Sequence, residues 1–103
     1  MSMLMEFSMW PIGKGESIGD YVAESLRVID GCDIPYKVNA MGTVMEGELD
    51  ELLGVVKKCF ERMAQDCGRI ECTLKFDYRH GATDRITSKV ASVEKRLGRP
   101  LSK

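Results

Sequence analysis

The chain is poor in the residues that usually carry metal and redox chemistry. It has a single histidine, His80, and a single tryptophan, Trp10. Its four cysteines, Cys32, Cys59, Cys67 and Cys72, form no C-x-x-C pair, so the closely spaced ligands of a zinc site are missing. The formal net charge is −1 and no basic stripe stands out, which argues against the electrostatic footprint of a nucleic-acid binder. No apolar run approaches the ~20 residues needed to span a bilayer. The apolar stretch from Met1 to Trp10 lacks a basic leader and a small-residue cleavage site, and reads as a strand rather than a signal peptide. These absences lead to the expectation of a cytoplasmic chain with reduced, buried thiols, no metal or cofactor, and no nucleic-acid or membrane partner.

What is present is clear periodicity. The 103 residues are enough for one domain with one core, expected to span 1–103. Met3, Met5, Phe7 and Met9 alternate with Leu4, Glu6, Ser8 and Trp10, the period of a strand. After Pro11-Ile12-Gly13-Lys14-Gly15, Ser17 is placed to cap a helix with Asp20 three residues on. That helix carries Ile18, Tyr21, Val22, Leu26 and Ile29 on one stripe and ends at Asp30-Gly31. A second strand is expected over 36–41 and a third over 43–46, joined as a hairpin around Gly42. A second helix, from about Glu48 to Gln65, has the stripe Leu49, Leu52, Leu53, Val56, Phe60 and Met63, with Gly68 at its C-terminal end. The fourth strand, 69–78, alternates Ile70, Cys72, Leu74, Phe76 and Tyr78 with Glu71, Thr73, Lys75 and Asp77. A last helix, about 84–97, carries Ile86, Val90, Val93 and Leu97.

The order βαββαβα predicts an α+β class, a ferredoxin-like βαββαβ sandwich. Its four-stranded antiparallel sheet has strand order 4-1-3-2 and two helices on one face, and the C-terminal helix packs at an edge or on a partner. The sheet face away from those helices would carry Glu6, Ser8, Trp10, Lys37, Asn39, Met41, Glu71, Thr73, Lys75 and Asp77. Such a face is either solvated or covered by another subunit with small ligands between. With the short edge strand 36–41, it leads to the expectation of a homo-oligomer.

Several residues are candidates for a ligand site. Gly42 and Gly47 bracket a short strand that carries Thr43 and Glu46, and the glycines allow a sharp bend or a positive φ. A carboxylate such as Glu46 can accept two parallel N–H bonds from an amino-substituted heterocycle, or it can complement the end of the following helix. Trp10 can stack on a ring or a cation, or fill a core or an interface. The run Gly13-Lys14-Gly15-Glu16-Ser17 before a helix could hold an anion, but lacks the spacing of a phosphate loop. Asp77, Arg79, His80, Asp84 and Arg85 cluster after the fourth strand as either an acid–base group or a solvated charged loop. No catalytic residue is assigned.

The chain resembles the small YkoF-like thiamine-binding family over nearly its whole length. The resemblance rests on Pro11-Ile12-Gly13 before the Ser17 helix and on Tyr21-Val22-Ala23 within it. It rests most specifically on Met41-Gly42-Thr43-Val44-Met45-Glu46-Gly47-Glu48 with Asp50-Glu51. Leu74-Lys75-Phe76-Asp77-Tyr78-Arg79 and Lys89-Val90 with Val93 complete it. The chain departs from the pattern at Gly81, where an aspartate is usual, and at Trp10, where smaller apolar residues are common. The resemblance implies a ferredoxin-like protomer, assembly as a dimer or tetramer, and binding of thiamine or its aminopyrimidine part. On that reading Glu46 pairs with the aminopyrimidine edge, Thr43 and Asn39 supply neutral hydrogen bonds, and Trp10 stacks. The alternatives are a structural or regulatory ferredoxin-like oligomer that binds an amino acid or an anion, and an enzyme using His80 with Asp77 or Asp84.

Overall fold

A computed structural model describes residues 3–103. Seven elements follow in the order β1 (Met3–Pro11), α1 (Gly19–Asp30), β2 (Tyr36–Asn39), β3 (Gly42–Gly47), α2 (Leu49–Ala64), β4 (Ile70–Tyr78) and α3 (Arg85–Leu97). The strands form one antiparallel sheet in the order β2-β3-β1-β4. This is the expected ferredoxin-like α+β topology, and it follows from the hydrophobic pattern. Opposite residues in an antiparallel pair share a face. Met5 faces Met45 and Phe76, and Phe7 faces Thr43 and Leu74, so the apolar rows of three strands align.

The core lies between that face and the two helices α1 and α2. It is built from Met5, Phe7, Met9, Ile29, Met45, Leu52, Val55, Cys59, Met63 and Cys67. Four of the ten are methionines, whose flexible thioethers fill irregular space between sheet and helices. Each such side chain contributes about 1.5–3 kcal/mol on burial. The Cys59 thiol donates to the Ser25 carbonyl oxygen at 3.7 Å, tying α2 to α1. Burial, with Cys32 and Cys72 nearby, pushes its pKa up to about 12.

Several local expectations need correction. Ser17 does not cap α1: the helix starts after Ile18, with no side-chain cap bond. The start of α2 is instead held by Glu51, whose carboxylate accepts the Glu48 backbone N–H at 2.9 Å. Gly68 does not close α2, which ends in αR geometry at Gln65. Gly42 and Gly47 do not adopt positive φ. Gly42 is instead a point of close approach, because a Cβ there would sit 3.0 Å from the Phe7 carbonyl oxygen. The second strand stops at Asn39, and Ala40-Met41 forms the two-residue turn of the β2–β3 hairpin.

Two larger differences concern coverage. The line α2 buries is Leu52, Val55, Cys59 and Met63, while Leu49, Leu53 and Phe60 remain exposed. The same holds for β4, where Cys72, Leu74, Phe76 and Tyr78 share the helix-side face yet stay exposed. The cause is the position of β4 at the edge, beyond the reach of α1 and α2. Cys72 is therefore an exposed thiol, not a buried one; Cys59 and Cys67 are buried and Cys32 is half-buried. The other face of the sheet is partly covered from within the chain. Helix α3 lies on it, with Arg85, Ile86, Lys89 and Val90 gathered beside Leu4, Lys37, Asn39 and Val44.

Candidate functional site

A cavity of about 300 Å³ opens at the β2–β3 turn, between the sheet end and α1. Phe7 to Trp10 of β1 form its floor and Val38 to Thr43 its rim. Ile18, Val22, Ser25, Leu26 and Ile29 of α1 close its side. It is an apolar hollow with a few polar groups, the usual character of a small-molecule site, and it sits at the lower end of the usual size. The polar groups are Ser8, Ser25, Asn39 and Thr43. Thr43 and Ser25 are buried, Trp10 is half-buried and Asn39 is exposed.

The positions follow from strand geometry. Thr43 is in register with Phe7 and shares its helix-side face, so its side chain is turned inward. Trp10 stands opposite Glu71, and Asn39 opposite Gly42, on the other face. The cavity gathers both sets because it wraps the end of the hairpin. Met41, at the turn, is 90% exposed and forms its outer lip.

Three of the four site residues expected from the sequence thus line one cavity: Trp10, Asn39 and Thr43. Glu46 does not join them. It lies three residues along β3 from Thr43, on the opposite face, and is buried at 4% exposure. Its Oε2 accepts the Arg85 backbone N–H at 3.0 Å, and its Oε1 accepts the Ile86 backbone N–H at 3.1 Å. The carboxylate therefore caps the N-terminus of α3, a helix 39 residues downstream, instead of the adjacent α2. Asp84, the residue just before α3, has φ 53°, a left-handed conformation costly for a non-glycine residue, and makes no side-chain cap bond. Glu46 does from a distance what Asp84 does not do locally.

The cluster after β4 completes this anchorage. The Arg85 guanidinium donates to the Asp77 carboxylate at 2.7 Å and to the Asp77 backbone carbonyl at 3.1 Å. Lys89 donates to the same carboxylate oxygen at 2.6 Å. Lys89, then Arg85, hold the Asp77 carboxyl below its ordinary range. The His80 ring lies 3.4 Å from the Tyr78 hydroxyl, through Nδ1. Asp77, considered above as a partner for His80, is thus engaged by two cations that fix α3. The run Gly13-Lys14-Gly15 forms a loop with positive φ at both glycines, ahead of α1.

The contribution of α1 to the cavity was present in the sequence only as an amphipathic stripe. Ile18, Val22, Leu26 and Ile29 carry the pattern of core residues, and nothing in that spacing separates a core wall from a cavity wall. Ser25, the buried polar residue of that helix, breaks the stripe and was the available signal.

The split βαββαβ sheet with a third helix laid on its far face defines a ferredoxin-like α+β protein with a small-molecule-sized side cavity. The chain belongs to the thiamine-binding protein family, which it matches over residues 5–94. It is 42% identical over 101 residues to a UPF0045 protein of Mycobacterium bovis, covering 97% of this chain and 99% of that one. It is 35% identical over 91 residues to a UPF0045 protein of Methanocaldococcus jannaschii, covering 88% and 91%. The crystal structure of a hypothetical protein from Methanocaldococcus jannaschii superposes with a TM-score of 0.85 at 34% identity, over 91% of this chain and 97% of that chain. A Thermotoga maritima protein, described provisionally as a thiamine biosynthesis/salvage protein, superposes with a TM-score of 0.79 over 90% and 99%; at 21% identity this likeness speaks for the fold.

Proposed function

We propose that the chain is a binding protein for thiamine or its aminopyrimidine moiety, held in the cavity at the β2–β3 turn. The observation that carries the reading is the meeting of Trp10, Asn39 and Thr43 at that cavity in a chain of the thiamine-binding family. Trp10 provides a stacking surface for a flat, electron-poor ring. Thr43 and Asn39 each offer both a donor and an acceptor, which suits the ring nitrogens and amino group of an aminopyrimidine. The apolar wall from α1 lies on the buried Thr43 side of the cavity, where low polarity strengthens a hydrogen bond. Glu46 enters as the residue that seats α3, not as a contact of the ligand.

On this reading the protein works in the cytoplasm as a homo-oligomer, a dimer or tetramer, and binds without transforming its ligand. Free cysteines on a chain in which no helix of the described residues is long and apolar enough to cross a membrane support that setting. Calorimetric titration with thiamine and with hydroxymethylpyrimidine tests the binding. Saturable binding of either, weakened by Thr43→Val and by Asn39→Ala, is expected. Binding of amino acids or simple anions in place of both pyrimidines would favour a regulatory module instead and refute the proposal.

A further inference from the structure

Helix α3 does not close tightly on the sheet. Between it, the far face of β1, β2 and β3, and the C-terminal tail lies a cavity of about 240 Å³. It is distinct from the cavity at the hairpin turn, with which it shares only Asn39. Its floor is apolar. Leu4 and Val44 are diagonal neighbours on the sheet, and Ile86 and Val90 stand one turn apart on α3. All four are half-buried, so apolar surface stays open between helix and sheet. The rim is cationic. Lys37 of β2, Arg85 and Lys89 of α3 and Lys103 of the tail converge on it, and among the described residues no carboxylate lines it.

The carboxylates nearby are already engaged. Asp77 receives Arg85 and Lys89, at 2.7 and 2.6 Å. Glu94 receives Lys103 and the Leu101 backbone N–H, both at 2.6 Å. Glu46 caps α3, and Glu6, in register with Val44, also stands opposite Lys75. The cations keep donors to offer. Arg85 commits its two terminal nitrogens to Asp77 and serves to hold α3. An ammonium, by contrast, carries three donors. Lys89 and Lys103 each direct one at a carboxylate, and Lys37 makes no hydrogen bond or ion pair among the described residues. Four cations against two ion-paired carboxylates leave positive charge in excess above an apolar floor. We propose that this cavity is a second ligand site, for a small organic anion. Its apolar body rests on Leu4, Val44, Ile86 and Val90, and its carboxylate or phosphate is held by Lys37, Lys89 and Lys103 through charge-assisted hydrogen bonds. The volume lies below that of a drug-sized site, which fits a single ring or a short branched chain. The charge repels a cation such as thiamine, so this site is separate from the binding proposed at Trp10 and does not depend on it.

Calorimetric titration of the full chain tests it with four probes. Benzoate and phenyl phosphate each carry a ring and an oxyanion, benzamide is a neutral analogue of benzoate, and inorganic phosphate has no apolar body. Saturable binding of benzoate or phenyl phosphate at millimolar concentration, one per chain, is expected, and the two together tell which oxyanion the lysines prefer. Benzamide and inorganic phosphate should each bind about tenfold more weakly, or worse. Lys37→Met keeps the apolar stem and removes the charge of an exposed residue that takes no part in seating α3. It should fold as the parent does by circular dichroism and weaken the ringed anion by on the order of 10-fold, whereas Lys37→Arg should retain the parent affinity. No binding of either ringed anion would overturn the proposal. So would benzamide binding as tightly as benzoate, inorganic phosphate binding as tightly as phenyl phosphate, or a folded Lys37→Met variant that keeps the parent affinity.

Discussion

Replacing Glu46 by glutamine removes one charge at a site where the structure specifies what that charge does. The carboxylate receives two backbone N–H groups, from Arg85 and Ile86, at 3.0 and 3.1 Å, in a buried position. Glutamine retains one acceptor oxygen and can satisfy one of the two. Its amide nitrogen then faces the other N–H, donor against donor. The loss is one charge-assisted hydrogen bond, about 1.5–3 kcal/mol, together with the favourable term between a negative charge and a helix N-terminus, about 0.3–1 kcal/mol. The expected destabilisation is therefore about 2–4 kcal/mol. It falls on α3 first, because that helix lies outside the core between the sheet and α1/α2. Native-state hydrogen exchange should show faster exchange along 85–97 with little change in α1 and α2, and urea unfolding should report a lower midpoint or a separate early step. Thiamine affinity should stay within about threefold of the parent, since the cavity lies elsewhere on the hairpin. Unchanged α3 protection combined with a 10- to 150-fold loss of affinity would refute this reasoning. It would return Glu46 to the ligand, as its charge-assisted bonds would then be made there.

Acid should loosen the same helix. The Asp77 carboxyl is held below its ordinary value by Lys89 and Arg85, so its contribution is present above the unfolded carboxylate value near 3.9 and is lost as pH falls through the lower folded value. A pH series of α3 exchange from 6 down to 2 should show the loss below about pH 4, and Asp77→Asn should remove the part of that dependence that Asp77 carries, leaving the part carried by the other carboxylates that hold α3, such as Glu94. Native thiol labelling should leave Cys59 and Cys67 slowest, since both are buried and burial holds the Cys59 thiol protonated. Cys72, which is exposed, and Cys32, which is half-buried, should react faster; equal rates at all four would contradict the packing described. Gly42→Ala should cost on the order of 1 kcal/mol by equilibrium unfolding, because its Cβ would press on the Phe7 carbonyl. A stabilised variant would show that the β1–β3 spacing relaxes freely.

The topology was readable because the strand rows alternate without error and the helices sit between them. Met3 to Met9 and Ile70 to Tyr78 could each be placed in a sheet by period alone, and the family resemblance agreed. Coverage was not readable. An apolar stripe records that a residue is buried somewhere, not by which element. Leu53 and Phe60 therefore read as core beside Leu52, and Cys72 read as buried, although α1 and α2 stop short of β4. Glu46 illustrates a second limit. The segment 41–48 was informative and its carboxylate was singled out, but its partners are backbone groups of residues 85 and 86. Sequence proximity favoured α2, whereas the chain brings α3 to it. Trp10, Asn39, Thr43 and Glu46 were singled out together on the family resemblance; the hairpin turn and the end of β1 bring the first three to one cavity. The wall supplied by α1 was hidden among residues that would look the same in any amphipathic helix.

Trp10 is the only tryptophan in the chain and lies in the cavity, so it reports directly on the proposed site. Titrating thiamine and hydroxymethylpyrimidine against its fluorescence is the most direct test of the binding claim. The account predicts saturable quenching by at least one of them, with the same midpoint by calorimetry, weakened by Thr43→Val. At about 100 times the dissociation constant the bound ligand should add ~2.7 kcal/mol of apparent stability. No change in fluorescence and no shift in unfolding at millimolar concentrations of both compounds would contradict it.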